Sequence, residues 1–297
     1  MVKLATTIDE QISLLRSRGV TITDEEKARE ILMDIGYYRL GFYLFPFETS
    51  YPKLENRSHN YLQGTDLSNA VALYYFDFDL RNMLFRYINR VEIAFRTHLI
   101  FELSNKYKNE PTWFICPQIV RPQFIQNFDN EIYTPSFRKN PTIQRHHKKY
   151  INDKYAPAWK TIEFMTLGNV IELYKNLKCI NDKLTICKYF GINQTTVFEN
   201  YMDAIRVVRN KCAHGSTLFD LKLFQSIKNG PAGRYSSGEA NSLSAAIDVI
   251  VYLIGTISVN RQIDLLTSLN EISNEVCQKS PNIRPIIQKV SKKICLN

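Results

Sequence analysis

The sequence predicts an all-α protein, and three observations carry that expectation. Apolar residues recur at three- and four-residue spacing through most of the 297 residues. Valine, isoleucine and threonine form no alternating ladder closed by hairpin turns, and no internal repeat is present. The chain also spends only 11 Gly and 11 Pro on punctuation while carrying 17 Tyr and 17 Phe, a balance suited to filling helical cores with few turns.

Taken in order, Thr7 to Arg18 reads as an amphipathic helix with Ile8, Ile12 and Leu15 on one face. Asp24-Glu25-Glu26 is the acidic first turn of a second helix reaching Ile35, and Gly19 and Gly36 punctuate the two. Gly36 to Phe47 is a dense aromatic block whose period assigns it to neither helix nor strand. It is too apolar for an exposed surface, so a core or interface role is expected rather than base stacking. Pro46 and Pro52 mark a loop. From Asp66 to about Lys106 the positions Leu73, Phe76, Leu80, Leu84, Ile88, Val91 and Phe95 define one face of a long helix, or of two in series. Pro111, Pro117, Pro122, Pro135, Pro141 and Pro157 then break the period, predicting an extended connection with short helices. So long a connection in a compact chain is usually functional.

Helical pattern resumes at Ala158 to Leu177, at Asp182 to Phe190, and at Thr195 to His214, where Gly215 stops it. Lys228 to Glu239 predicts a flexible loop. Ser242 to Ser258 is apolar nearly all round, which fits a buried central helix or a subunit interface. Arg261 to Cys277 and Ile286 to Ile294 complete the helices.

The formal net charge of +9 favours a polyanionic partner. The first residues carry no apolar signal core, and no apolar run approaches the roughly 20 residues a membrane-spanning helix needs, so no membrane partner is expected. The six cysteines are scattered without a C-x-x-C pair, which argues against a zinc site or a disulfide framework and for a reducing cytoplasm. With no Gly-rich phosphate loop, carboxylate cluster or zinc spacing, no cofactor is expected.

One stretch concentrates chemistry: Arg209-Asn210-Lys211-Cys212-Ala213-His214, followed by Gly215. About one Arg-x(4 to 6)-His match is expected by chance in this composition, so spacing alone also reads as a helix-terminal cation beside a surface arginine. Context adds that the pair ends a predicted helix, that Asn210 lies one turn before His214, and that Gly215 lets the chain turn away. Five residues rotate roughly 140° around a helix, so Arg209 and His214 do not share a face. The chemistry that suits the group is metal-independent phosphodiester cleavage. The histidine moves a proton to or from a ribose oxygen while the guanidinium holds the phosphate. The chain supplies one such histidine, and a symmetric homodimer would supply the second. Cys212 inside the motif reads as a small buried residue rather than a nucleophile. Glu92 and Arg96 read as a helical ion pair, with a second possibility that Arg96 or Glu163 braces the motif helix.

RNA contact is expected from Lys211 and from a basic stretch with Arg138, Lys139, Arg145, Lys148, Lys149, Lys154 and Lys160 against one acid, Asp153. Tyr150, Tyr155 and Trp159 are interleaved, and His146-His147 belongs to the same patch. A solvated basic loop is the competing reading. The tail after Glu275 is basic too.

The motif resembles the R-N-x-x-x-H signature of HEPN ribonucleases, and its R-N-x-C-A-H form resembles the AbiD/AbiF-type abortive-infection family. Gln11-Ile12-x-Leu14-Leu15-x-x-Arg18-Gly19, Tyr37-Tyr38-Arg39-Leu40, Val91-Glu92-Ile93-Ala94-Phe95-Arg96 and Ala158-Trp159-x-x-Ile162-Glu163-x-x-Thr166-Leu167-Gly168 agree with that family in order. Thr217 stands where the family carries Arg. The resemblance implies an all-α, HEPN-like helical bundle with additional N-terminal helices. It implies one module over residues 1–297, with a core mainly at 66–107 and 157–277 and a basic insertion at 108–156. It further implies catalytic Arg209 and His214 with Asn210 in support, a role in phage defence, and RNA as substrate or as a bound structured partner.

Overall fold

The computed structural model describes residues 4–53, 55 and 57–296. Helix α1 (Ile8–Ser17) starts where Thr7 and Glu10 form a reciprocal capping box. Helix α2 (Glu25–Asp34) is capped by Asp24, whose carboxylate accepts from the Lys27 N–H. The aromatic block resolves into α3 (Tyr37–Leu44) and a 3-10 turn, Phe45–Phe47, in which Pro46 sits in the first turn, where its missing N–H costs nothing. Its core role is half true. Leu40, Tyr43 and Leu44 are buried, whereas Tyr38 is 82% exposed and Phe42 also faces solvent.

Helix α4 (Leu67–Lys106) is one uninterrupted element. It contains neither Gly nor Pro, so nothing breaks its hydrogen-bond ladder. All seven apolar positions read from the sequence are buried.

The proline-rich stretch contains the short helices expected of it, but it is folded on itself rather than extended. Helices α5 (Pro122–Asn127), α6 (Pro135–Arg138) and α7 (Pro141–Lys149) each begin on a proline, which presets the first helical φ at a position that needs no N–H. A π turn, Phe128–Ile132, follows α5. Aromatic rings close this stretch on itself: Phe128 lies 5.2 Å from Phe114 and 5.6 Å from Tyr155, and Tyr155 lies 5.1 Å from Tyr133.

The pattern at 158–177 splits into α8 (Ala158–Phe164) and α9 (Leu167–Lys175), because Thr166 accepts from the Asn169 N–H and starts a new helix. Then come α10 (Ile180–Lys188), α11 (Thr195–Ala213), α12 (Leu243–Ile257), α13 (Val259–Lys279) and α14 (Arg284–Val290). Among the described residues there is no strand, only isolated bridges, and the fold class is all-α. No helix among them is long and apolar enough to cross a membrane.

The chain forms two compact units. One comprises residues up to Met83, His214–Leu221 and the chain from Leu266 onward; the other comprises Leu84–Ala213 and Lys222–Leu265. In the first, Tyr43 packs near Phe219 with ring centroids 5.8 Å apart, and Ile12, Leu15, Leu73 and Ile287 are buried. In the second, Phe95 of α4 meets Tyr174 of α9 at 5.7 Å and Phe198 of α11 at 5.6 Å. Helix α12 is the buried helix of the two alternatives for its apolar run: Ile247, Val249, Ile250, Leu253 and Ile254 are all fully buried within the protomer. The glycine-rich segment 228–239, which precedes α12, is held by α11. Asn200 accepts from the Lys228 N–H, and the Tyr201 hydroxyl accepts from the Ala232 N–H.

Candidate functional site

Helix α11 buries Phe198, Tyr201, Met202, Ile205 and Val208, which turns Arg209 and Asn210 away from the core of the second unit. Asn210 is exposed, Lys211 and Cys212 are half-buried, so Cys212 is less enclosed than its residue type suggests. The Arg209 side chain is about one-third exposed, 32%. Its Nε lies 3.5 Å from Glu92 Oε2 and its guanidinium stands over the Phe85 ring at 5.6 Å. Nε is buried and makes no hydrogen bond.

Glu92, on α4, is the residue that organises this corner. Its other oxygen accepts from Arg96 Nη2 at 2.8 Å, as the four-residue spacing predicts. Arg96 does not reach the motif helix. Its Nη1 donates to the carbonyls of Ile162 at 2.9 Å, Met165 at 3.0 Å and Glu163, capping the end of α8. The brace on the motif helix is therefore Glu92 rather than Arg96 or Glu163, and Glu163 takes part through its backbone. One carboxylate steadies two guanidiniums, leaving a positive charge at Arg209 whose terminal nitrogens have no hydrogen bond among the described residues. A Cβ on Gly168 would lie 3.4 Å from Arg206 Cδ, in van der Waals contact with it.

His214 belongs to the first unit, one residue past the end of α11. It is exposed, and Gly215 turns the chain at φ 62°, a conformation that favours glycine. The Gly215 carbonyl accepts from Arg39 Nη1 at 2.8 Å. Farther along, the backbone N–H groups of Leu218 and Phe219 donate to the Asp77 carboxylate at 3.1 and 2.7 Å. Asp77 is fully buried, pairs with Arg81, and accepts from the Tyr43 hydroxyl at 2.9 Å. Burial, then the Asp77 charge, push the Tyr43 phenol up to about 12, so it stays a donor. The segment bearing His214 is thus fastened at both sides of Gly215–Phe219 by side chains from α3 and α4. Arg39 lies in the Tyr37-Tyr38-Arg39-Leu40 block, the one sequence signal for this role; Asp77 gave none.

The basic stretch presents Arg145, Lys148 and Lys149 on exposed positions of α7. Lys154 is exposed but paired with Asp129 at 2.8 Å. The two histidines do not share that surface. His146 is 4% exposed with Nε2 3.1 Å from Asp153, and His147 Nε2 meets the Tyr133 hydroxyl at 2.9 Å. His98, on α4, stacks on Tyr189 at 3.9 Å, and burial lowers its pKa.

The model of the Abi-like protein family matches residues 30–220, well over half of the chain. The chain belongs to that family. The match takes in Glu92, Arg96, Gly168 and the motif helix of the second unit and, in the first, Arg39, His214, Asp77 and the amides of Leu218 and Phe219. No curated protein and no solved structure matches the chain.

Proposed function

We propose that this Abi-like chain is a metal-independent endoribonuclease of the HEPN type, of the AbiD/AbiF kind, acting in abortive infection as a phage-defence protein. The observation that carries the reading is Arg209: its inner side is steadied by Glu92 and Phe85 while its terminal nitrogens have no hydrogen-bond partner among the described residues, the state a phosphate-binding guanidinium needs. His214, exposed and with no hydrogen bond among the described residues, serves as the acid or base on the ribose 2′-oxygen or the leaving 5′-oxygen. Asn210 orients the phosphate or the imidazole. The RNA provides the nucleophile, so cleavage leaves a 2′,3′-cyclic phosphate and a 5′-hydroxyl.

In this reading residues 1–297 act as one module, in the cytoplasm and without a cofactor, and a homodimer brings together two copies of Arg209 and His214. Lys211, Arg145, Lys148, Lys149 and Lys154 hold the RNA. The test is cleavage of RNA in excess chelator by the wild type and by His214→Ala and Arg209→Ala, with end-group analysis. Cleavage lost in both variants and cyclic-phosphate ends in the wild type are the expected results. A second reading, a non-catalytic protein that holds a structured non-coding RNA, is favoured by the exposed cations of α7. RNA affinity that falls steeply with salt, without any cleavage, would select it over the first.

A further inference from the structure

A cleft of about 630 Å³ opens in the second unit where the end of α7 meets the start of α8. Glu110, His146, Tyr150, Asp153, Trp159 and Lys160 are among its lining residues. None of Arg209, Asn210 or His214 lines it. The volume falls in the range of small-molecule sites, roughly 300–1,000 Å³.

Trp159 is the unusual member. The chain has two tryptophans, and Trp113 is fully buried with its indole N–H donating to Ser104 at 3.1 Å. Trp159 is 51% exposed and makes no ring contact among the described residues, so its faces are open for stacking. Tyr150, also exposed, lies 5.0 Å from the His146 ring. The wall is polar as well as aromatic. Asp153 engages His146 Nε2, and His146 Nδ1 is buried without a hydrogen-bond partner. Of the two lysines on the wall, Lys154 pairs with Asp129, whereas Lys160 forms no hydrogen bond or ion pair through its ammonium among the described residues. An exposed indole, two carboxylates and lysines together describe a planar aromatic ligand with a donor edge and an attached anion. Asp153 meets His146 and Glu110 accepts from the Thr112 hydroxyl, and each carboxylate keeps further lone pairs with which to accept from a ligand's amino group.

We infer that this cleft binds a nucleotide, stacking its base on Trp159, taking the amino edge of the base on Asp153 and Glu110, and holding the phosphate with Lys160. Guanine, adenine and cytosine offer an exocyclic amine to a carboxylate; uracil has none, its single N3–H lies between two carbonyls that repel a carboxylate, and it is the poorest fit. The ligand has two possible sources, a free mononucleotide or an unstacked nucleotide of single-stranded RNA, and both present the same base and phosphate.

The full chain is titrated with GMP, AMP, CMP and UMP and with a short 2′-O-methyl RNA, which cannot be cleaved through its 2′-oxygen. Binding is read by calorimetry and by tryptophan emission, in which buried Trp113 serves as the constant background. The amino-bearing nucleotides should bind and quench emission, with UMP weaker by about tenfold, and Trp159→Ala and Lys160→Ala should each weaken binding by about tenfold while Trp159→Phe retains it. Oligonucleotide binding much tighter than mononucleotide binding assigns the cleft to RNA, and equal binding assigns it to a free nucleotide. No binding by any of these probes, UMP binding as well as GMP, or full affinity in both folded alanine variants overturns the inference. His214→Ala separates it from the nuclease reading: that variant should bind nucleotide as the wild type does, and loss of cleavage in it says nothing against the cleft.

Discussion

Replacing Asp77 by alanine is the most demanding perturbation of the segment that carries His214. The carboxylate is wholly buried and accepts from Tyr43 Oη, from two backbone N–H groups and from Arg81, whose side chain is itself only 5% exposed. Asp77→Ala leaves that guanidinium buried without its counter-charge, a loss of about 3–5 kcal/mol when one partner of a buried pair is removed. The amides of Leu218 and Phe219 lose their acceptor as well, at about 1 kcal/mol or more each, although terms within one network do not add. A net loss of at least about 4 kcal/mol follows, a large part of the roughly 5–15 kcal/mol typical of a folded domain. Asp77→Asn keeps one carbonyl acceptor and should lose about half as much. Urea unfolding followed by far-UV circular dichroism measures both. The double variant Asp77→Ala/Arg81→Met should recover much of the loss, because an apolar pair in place of a buried ion pair is often neutral. An Asp77→Ala cost below about 1 kcal/mol, or strict additivity in the double variant, would refute the reasoning.

Three further outcomes are expected. Glu92→Gln removes the charge shared by Arg96 and Arg209 and should lower RNA cleavage by about tenfold or more for a stability loss of about 1–3 kcal/mol; unchanged cleavage would show that Arg209 needs no brace. Gly215→Ala should destabilise by about 1–2 kcal/mol through its positive φ alone, since the nearest atom to a Cβ there, in Arg39, is 4.0 Å away, and Gly215→Asn should lose less. For Glu48, burial works to raise the pKa, but Arg57, the Ser50 hydroxyl and the His59 N–H outweigh it and hold the carboxyl at about 2 against its ordinary 4.5. Its folded pKa being depressed, its contribution to stability is full above pH 4.5 and disappears as pH falls toward 2; Glu48→Gln should flatten that part of the stability curve, and a curve of unchanged slope would count against the assignment.

Much of this protein was legible one turn at a time. The seven apolar positions of α4 stand at helical spacing and are all buried, and Thr7 and Asp24 cap the helices whose acidic first turns announce them. Glu92 and Arg96 pair because they are four residues apart. These features depend on neighbours along the chain, which a sequence displays directly. The prolines between 111 and 157 announced short helices in the same local terms, but not the packing that closes the stretch on itself. A proline ends a helix it interrupts and starts a helix it precedes, and only the packing of Phe114, Phe128, Tyr133 and Tyr155 decides which.

The helical class, the long buried helix and the six-residue run ending at His214 can be read from residue order alone. It takes the packed chain to show that Glu92 reaches Arg209, that Asp77 grips amides 141 residues away, that His146 turns inward, and that Trp159 stays open beside a cleft. The difference is one of range. Periodicity and capping are set within a turn or two of the backbone, whereas the partner of a buried charge is chosen by which helices the whole hydrophobic core brings together.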